Sequence, residues 1–305
     1  MTSAEALAAL RRLAAAFDGT LALAARRQGT GEELRLQADR PMATASVIKL
    51  AVLVAAYARA QAGALSLEDR LEVRDRDRVG GSGVIHELSA GTALTIRDLA
   101  TLMVVVSDNM ATNLLIDAIG GAPAVNDLVR GELGVAGITL NRKLLVTPSS
   151  DEPLATATPD GLVELLDGLV GGRIVSPAAS AEMLGILGHQ QYLDQVPRLL
   201  DQDAYGNAAA PGEGEPLAVF CKTGMIDGVR ADAGVLRLAG TQVSYAVMRE
   251  TAGDRGLDLD TEAMHVGAEV GRILVRRFWP ASAGSPPLAP HPAARWAQLH
   301  RIAEP

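Results

Sequence analysis

The chain has few aromatic residues, few lysines and one cysteine, and each shortage narrows what it can be. Phe, Trp and Tyr make up 3% of the 305 residues against 48% hydrophobic, so the core of a chain this long must be built from aliphatic side chains and alanine. The single cysteine, Cys221, excludes an internal disulfide framework and any multi-cysteine zinc or iron-sulfur site. Long apolar runs are missing too. The longest, Leu50 to Ala58, falls well short of the roughly 18 residues a membrane span needs, so no transmembrane helix is expected. Positive charge is in deficit: 28 Lys+Arg face 36 Asp+Glu, a formal charge of -8, which gives no sequence-wide attraction for phosphate backbones and makes nucleic acid an unexpected partner. The five histidines (His86, His189, His265, His291 and His300) are scattered, none at metal-ligand spacing, and no metal or other cofactor is expected. Arg11 and Arg12 interrupt the apolar run from Ala6 to Phe17, which is not the layout of a secretory signal; as given the chain reads as cytoplasmic, or as secreted or periplasmic if a signal peptide has been removed.

Leu7, Leu10, Leu13 and Phe17 recur at helical spacing, and Asp18-Gly19 closes that first amphipathic helix. Thr20 to Arg26 and Glu33 to Gln37 read as two strands of a hairpin turned at Gln28 to Gly31. After Pro41 a helix is expected from about Ser46 to Gln61, ended by Gly63, and from there to about Leu200 the sequence reads as mostly helical. Thr95 and Asp98 form a capping box. Ser107-Asp108 restarts a helix through Ile119, and Thr158-Pro159 and Ser176-Pro177 each set an N-cap residue before a first-turn proline. Leu217 to Cys221, Gly234 to Leu238 and Val243 to Met248 are β-compatible, Thr261 to Phe278 is helical, and Pro280 to Pro305, with six prolines, reads as a tail or wrapping segment.

Strands at both ends and helices between them imply an α/β architecture of the α+β sandwich kind. Its antiparallel sheet is built from both chain ends, flanked by terminal helices and interrupted by an inserted all-helical domain. The expected division is residues 1–40 plus 205–280 for the sandwich, 41–204 for the helical domain and 281–305 for the tail.

Three lysines, Lys49, Lys143 and Lys222, stand against 25 arginines. Lysine loses its proton when buried and arginine does not, so a retained lysine suggests chemistry that needs a base. Lys49 follows Ser46 by three residues, a spacing that puts both on one helical face, where a neutral amine can take a proton from a hydroxyl nucleophile. Ser107-Asp108-Asn109 marks a helix start and Lys222-Thr223-Gly224 follows a strand; taken singly, capping and a glycine turn would explain them. Their joint order, S-x-x-K, S-D-N, K-T-G, is a mechanism-bearing set.

In these motifs, in Thr92 to Asp117 and in Ala157-Thr158-Pro159, the chain resembles the class A β-lactamases and their serine-hydrolase relatives, over most of residues 1 to 278. The resemblance implies a site between an α/β sandwich and a helical domain, and a small-molecule substrate bearing a carboxylate. It implies Ser46 as the nucleophile forming an acyl-enzyme, Lys49 as its base, Ser107 as proton relay and Lys222 as a positive charge beside it. It further assigns Asn109 to a substrate amide, Thr223 and Lys222 to the carboxylate, Gly224 to the same substrate-binding strand, and the Ser46 and Met225 backbone N-H groups to an oxyanion hole. Arg230, placed on the loop entering the next strand, reads equally as a second carboxylate contact and as a solvated turn arginine. One departure bears on mechanism. Efficient members resemble one another in an E-x-x-L-N loop glutamate that activates the deacylating water, whereas Asn141 to Pro159 holds only Asp151 and Glu152 as acids and looks shortened. Hydrolysis of the acyl-serine is then expected to be slow for β-lactams, with an esterase or D,D-peptidase-like activity, or a non-catalytic ligand-binding relative, as the alternatives. Gly80-Gly81-Ser82-Gly83 fits no phosphate-binding pattern and reads as a flexible loop at the site rim, and Cys221 as a buried, inert thiol.

Overall fold

The computed structural model describes residues 1–145, 153–202, 216–253, 256–289 and 301–303. In chain order the elements are α1 (Ser3–Ala16), β1 (Thr20–Arg27), β2 (Glu33–Leu36), β3 (Met42–Ala43), α2 (Lys49–Gln61), β4 (Arg70–Glu72), β5 (Ala93–Thr95), α3 (Ile96–Val105), α4 (Asn109–Ile119), α5 (Ala122–Asp127), β6 (Ile138–Leu140), β7 (Ala155–Ala157), α6 (Pro159–Val170), α7 (Pro177–Gly188), β8 (Leu217–Ile226), β9 (Val229–Leu238), β10 (Thr241–Glu250) and α8 (Glu262–Phe278), with short 3-10 turns between several of them.

Both chain ends feed one antiparallel sheet, ordered β2-β1-β10-β9-β8. β10 is the central strand, flanked by β9 and by β1, with Thr20 of β1 opposite Glu250 and Arg27 opposite Val243. Alternation along the strands sorts side chains between two cores. Leu21, Leu23, Leu236, Leu238 and Val247 face a core shared with Leu10 and Leu13 of α1 and Val270 and Leu274 of α8. Ala22, Ala24, Phe220, Ala231 and Ala233 face the opposite way and merge with α2, α3, α4 and α6. Small residues on that second face let helices come close to the sheet, and this brings the serine-bearing turn against β8.

The helix starts follow the sequence signals. Thr95 accepts from the Asp98 amide at 3.0 Å with the reciprocal bond present, Thr158 and Ser176 cap α6 and α7 ahead of their prolines, and Asp108 caps α4. Thr2 and Glu5 add a capping box on α1 that the apolar periodicity did not reveal.

Three expectations need correction. The middle of the chain is not purely helical, because β3, β7 and β6 form a small sheet and β4 pairs with β5. These strands are two or three residues long, too short to carry a period in sequence. Ser46 lies on a 3-10 turn, Ala45–Ile48, and the α-helix proper begins at Lys49. Lys222-Thr223-Gly224 does not follow a strand but lies inside β8, which runs on to Ile226, and the hairpin turns at Asp227-Gly228. Of the C-terminal segment, Leu288 bridges Leu200 and the Ile302 carbonyl accepts from Arg12 Nε at 3.0 Å, so its described parts wrap the sandwich. Among the described residues no helix is long and apolar enough to cross a membrane.

Candidate active site

Ser46 is held where β8 meets the start of α2. A Cβ on Gly224 would lie 2.7 Å from the Thr44 carbonyl oxygen, 2.8 Å from the Ser46 amide nitrogen and 3.0 Å from the Val47 amide nitrogen. Glycine is therefore required here by close approach of two backbones, not by a turn. Ala45, just before the serine, has φ +45°, a left-handed conformation that costs an alanine about 1–3 kcal/mol and survives because the surrounding core holds it.

Lys49 is fully buried, and its Nζ donates to the Ser107 carbonyl at 2.6 Å, to Ser107 Oγ at 3.1 Å and to Asn109 Oδ1 at 2.9 Å. Burial pushes its ammonium well below the ordinary lysine value, the charge of Lys222 pushes the same way, and Asp108 opposes both. Ser107, at φ +55°, is a second left-handed residue in the site. The Asp108 carboxylate is fully engaged: Oδ1 accepts from the Ala111 amide at 2.9 Å, and Oδ2 from Val84 at 2.7 Å and Ile85 at 2.8 Å. The Asn109 amide group donates to the Gly80 carbonyl at 3.0 Å and has a second N-H for a ligand.

The glycine cluster is thus no free loop. Ser82 Oγ donates to the Ser107 carbonyl at 2.7 Å, and the Asn109 amide N-H to the Ser82 carbonyl at 3.0 Å. A side chain on Gly81 would strike the Asn109 side-chain nitrogen at 2.5 Å, and one on Gly83 would collide with the Asp108 carboxylate.

From β8, Lys222 is buried with Nζ donating to the Thr223 carbonyl at 2.7 Å, and burial brings its ammonium down to about 8. Thr223 is buried and Met225 half-buried on the same strand. Arg230 is neither on a loop nor solvated. It is the second residue of β9, opposite Met225 rather than Thr223, and 1% exposed. Its Nη1 donates to the carbonyls of Ile226 at 2.8 Å and Val229 at 3.0 Å, and Nη2 to that of Gly256, so the guanidinium ties down the backbone of the β8–β9 hairpin. The residue opposite Thr223 is a carboxyl, Asp232. Cys221 is buried and its thiol is raised well above the ordinary value by desolvation. Asp151 and Glu152 lie outside the described residues. Among the described residues no group of three or more His, Cys, Asp or Glu side chains is placed to hold a metal ion.

The sequence reading missed the segment before β8. Gln190 Nε2 donates to the Val104 carbonyl at 3.0 Å and the Cys221 carbonyl at 3.4 Å, linking α3 to the sheet edge. Gln195 Nε2 donates to the Gly224 carbonyl at 3.1 Å. Both glutamines are buried, and nothing in an isolated glutamine codon marks it as a core residue.

Lys49 bonded to the Ser107-Asp108-Asn109 helix start, with the Lys222-Thr223-Gly224 strand packed against the Ser46 turn, is the arrangement of a serine hydrolase. Residues 5–278 match the family described as the beta-lactamase enzyme family, and the chain belongs to it, as a class A β-lactamase-like member. It is 31% identical to the beta-lactamase of Sphaerobacter thermophilus, whose crystal structure superposes with a TM-score of 0.79 over 94% of this chain and 100% of that one. It is 28% identical over 259 residues to a beta-lactamase of Rhodobacter capsulatus, covering 84% of this chain and 87% of that one. A variant of PBP-A solved as its acyl-enzyme complex with penicillin-G shares the fold at 23% identity, with a TM-score of 0.77 over 90% and 96% of the two chains.

Proposed function

We propose that the protein hydrolyses β-lactams or related amides and esters through an acyl-enzyme on Ser46, with slow deacylation. The observation that carries this reading is Lys49, fully buried with all its polar partners drawn from the Ser-Asp-Asn motif. Three acceptors around Nζ suit an ammonium. Loss of one proton is accommodated because the Ser107 hydroxyl can reverse its 3.1 Å bond and donate to the amine. The neutral amine then takes the Ser46 proton as Oγ attacks the substrate carbonyl, and the N-H groups of Ser46 and Met225 stabilise the oxyanion. Ser107 passes a proton to the leaving nitrogen and recovers one from Lys49. Lys222 and Thr223 receive the substrate carboxylate, and the remaining Asn109 N-H meets a substrate amide. In this reading the site falls between the sandwich, expected from residues 1–40 plus 205–280, and the helical part, residues 41–204.

Deacylation is the weak step in this reading. Among the described residues the carboxylate acting on Lys49 is Asp108, and both its oxygens are occupied by backbone amides. No E-x-x-L-N loop precedes Pro159. Esters and peptide-like substrates, whose leaving groups depart, suffer less from a missing water activator than β-lactams, whose leaving group stays tethered. A chromogenic cephalosporin assay combined with intact-protein mass spectrometry tests the proposal. A Ser46 adduct that forms and turns over slowly supports it, and the same adduct must be absent from Ser46→Ala. A parent protein that never gains the mass of the drug would be a ligand binder, and the proposal would fall.

A further inference from the structure

The peptide unit joining Gly224 to Met225 faces two ways. All described peptide bonds are trans, so the Gly224 C=O and the Met225 N-H point in opposite directions from one plane. On the carbonyl side Gln195 Nε2 donates at 3.1 Å, and Gln195 Oε1 in turn accepts from Nη2 of Arg249. Arg249 is fully buried, and its Nη1 donates to the Ala263 carbonyl of α8 at 2.7 Å. Gly267, one turn along α8, makes room for that guanidinium, since any Cβ there would overlap Nη1. The backbone just after Gln195 is fixed as well: the Val196 N-H donates to Asp232 Oδ2 at 3.0 Å, and Asp232 Oδ1 accepts from the Tyr245 hydroxyl at 3.0 Å. Gln195, Val196, Asp232, Tyr245 and Arg249 are each 1% exposed or less, so water does not compete for these bonds.

We propose that Gln195 is a positioning residue for the oxyanion hole: charged from behind by Arg249, it holds and polarises the Gly224–Met225 peptide so that its N-H is fixed towards the reacting carbonyl. This rests on the assignment of the Met225 N-H as an oxyanion donor. The physical basis is that hydrogen bonds in series polarise one another, and a donor on a carbonyl oxygen strengthens the N-H across the same amide. A guanidinium at the head of the chain makes its first bond charge-assisted. The same bond adds to the β8–β9 pairing in holding the peptide plane, and a preorganised donor needs no reorganisation when charge develops on the substrate oxygen. The chain runs from α8 through the sheet to the cleft, and Gln195 touches no reacting atom.

Gln195→Glu and Gln195→Met separate this role from packing. Glutamate keeps the size and the bond to Arg249 but cannot donate to the Gly224 carbonyl; methionine fills the space and does neither. Loss of a direct oxyanion donor lowers rates on the order of 10²- to 10³-fold, so loss of its support should lower acylation about 10-fold in both variants. The measurement is the concentration dependence of single-turnover acylation by penicillin G, which separates the acylation rate from the dissociation constant of the non-covalent complex, together with the infrared stretch of the acyl-enzyme ester carbonyl. The expected result is slower acylation at a nearly unchanged non-covalent dissociation constant, and an ester stretch moved to higher wavenumber because the carbonyl is less polarised. A Gln195→Glu enzyme with parental acylation and stretch overturns the proposal, because then the Arg249 anchor alone suffices. Failure of the underlying reading looks different: the parent itself would show no Ser46 adduct, or its ester stretch would lie where a solvated ester absorbs.

Discussion

The charge of Lys222 bears directly on Lys49, and after burial it is the strongest influence keeping the Lys49 amine below its ordinary value. In the proposed mechanism these two buried lysines divide the work: one must be able to give up its proton, and the other, brought down to about 8, must keep it to hold a carboxylate.

A bell-shaped pH profile follows. Acylation should rise with pH as Lys49 becomes neutral and fall as Lys222 loses its charge above about pH 8. Lys222→Gln should remove the alkaline limb and move the acid limb to higher pH, since the repulsion lowering Lys49 is gone. Lys49→Arg should fail as badly as Lys49→Ala, on the order of 10²-fold or more, because arginine does not accept a proton. Single-turnover acylation between pH 5 and 10 checks all three, and an arginine variant with near-parental rate would show that Lys49 acts through charge alone.

Gly224→Ala tests the meeting of β8 with the serine turn. The new methyl would press on three backbone atoms, Thr44 O, Ser46 N and Val47 N, none of which is the end of a movable side chain. The expected outcome is a loss of about 1–3 kcal/mol in stability and a far larger proportional loss of acylation. Urea midpoints and acylation rates measured on one preparation would reveal whether the two move separately.

Asp232 carries a pH-dependent part of the stability. Burial raises its carboxyl from 3.8 to about 7, so the folded state holds a proton that the unfolded state has already released. Its contribution is full below about pH 4 and is lost as pH rises through about 7. Asp232→Asn keeps one acceptor for the Val196 N-H and lets the Tyr245 hydroxyl turn round to accept from its amide, without titrating, so the melting temperature of the parent should fall relative to the variant by several degrees between pH 4.5 and 8. Parallel melting curves across that range would exclude the idea.

Penicillin should leave a persistent mark. Without a placed water activator the acyl-enzyme should last minutes or longer, a lost general base being worth on the order of 10² to 10⁴ in rate. Glu152→Gln should change turnover little. Rapid penicillin hydrolysis by the parent, abolished by that one substitution, would restore Glu152 as the base.

What sequence made legible was what local chemistry writes locally. The caps at Thr95, Asp108, Thr158 and Ser176 could be read because a cap and its helix are neighbours in the chain. Lys49, Ser107 and Lys222 stood out because their residue types are rare or their order is mechanism-bearing. Arg230 was misplaced because the length of β8 depends on its pairing with β9: once Lys222-Thr223-Gly224 lies within the strand, the next arginine falls opposite Met225 and turns to the hairpin carbonyls. Gln195 and Arg249 were invisible for the opposite reason, since their meaning exists only where three distant segments touch.

The pairing of β1 with β10 also sets an order of assembly. On a ribosome Thr20 emerges first and has to wait for Glu250, roughly ten seconds or more at about 5–20 residues per second. During that interval β1 and β2 are a hairpin with two open edges, while α2, α3 and α4 already have one another to pack against. Ser46 is therefore expected to reach its helical neighbours long before β8 arrives to close Gly224 over it. A nascent chain halted before residue 217 would carry Ser46, Lys49 and Ser107 but neither Lys222 nor the Gly224–Met225 peptide of the edge strand, so it is expected to be chemically silent until that strand has emerged.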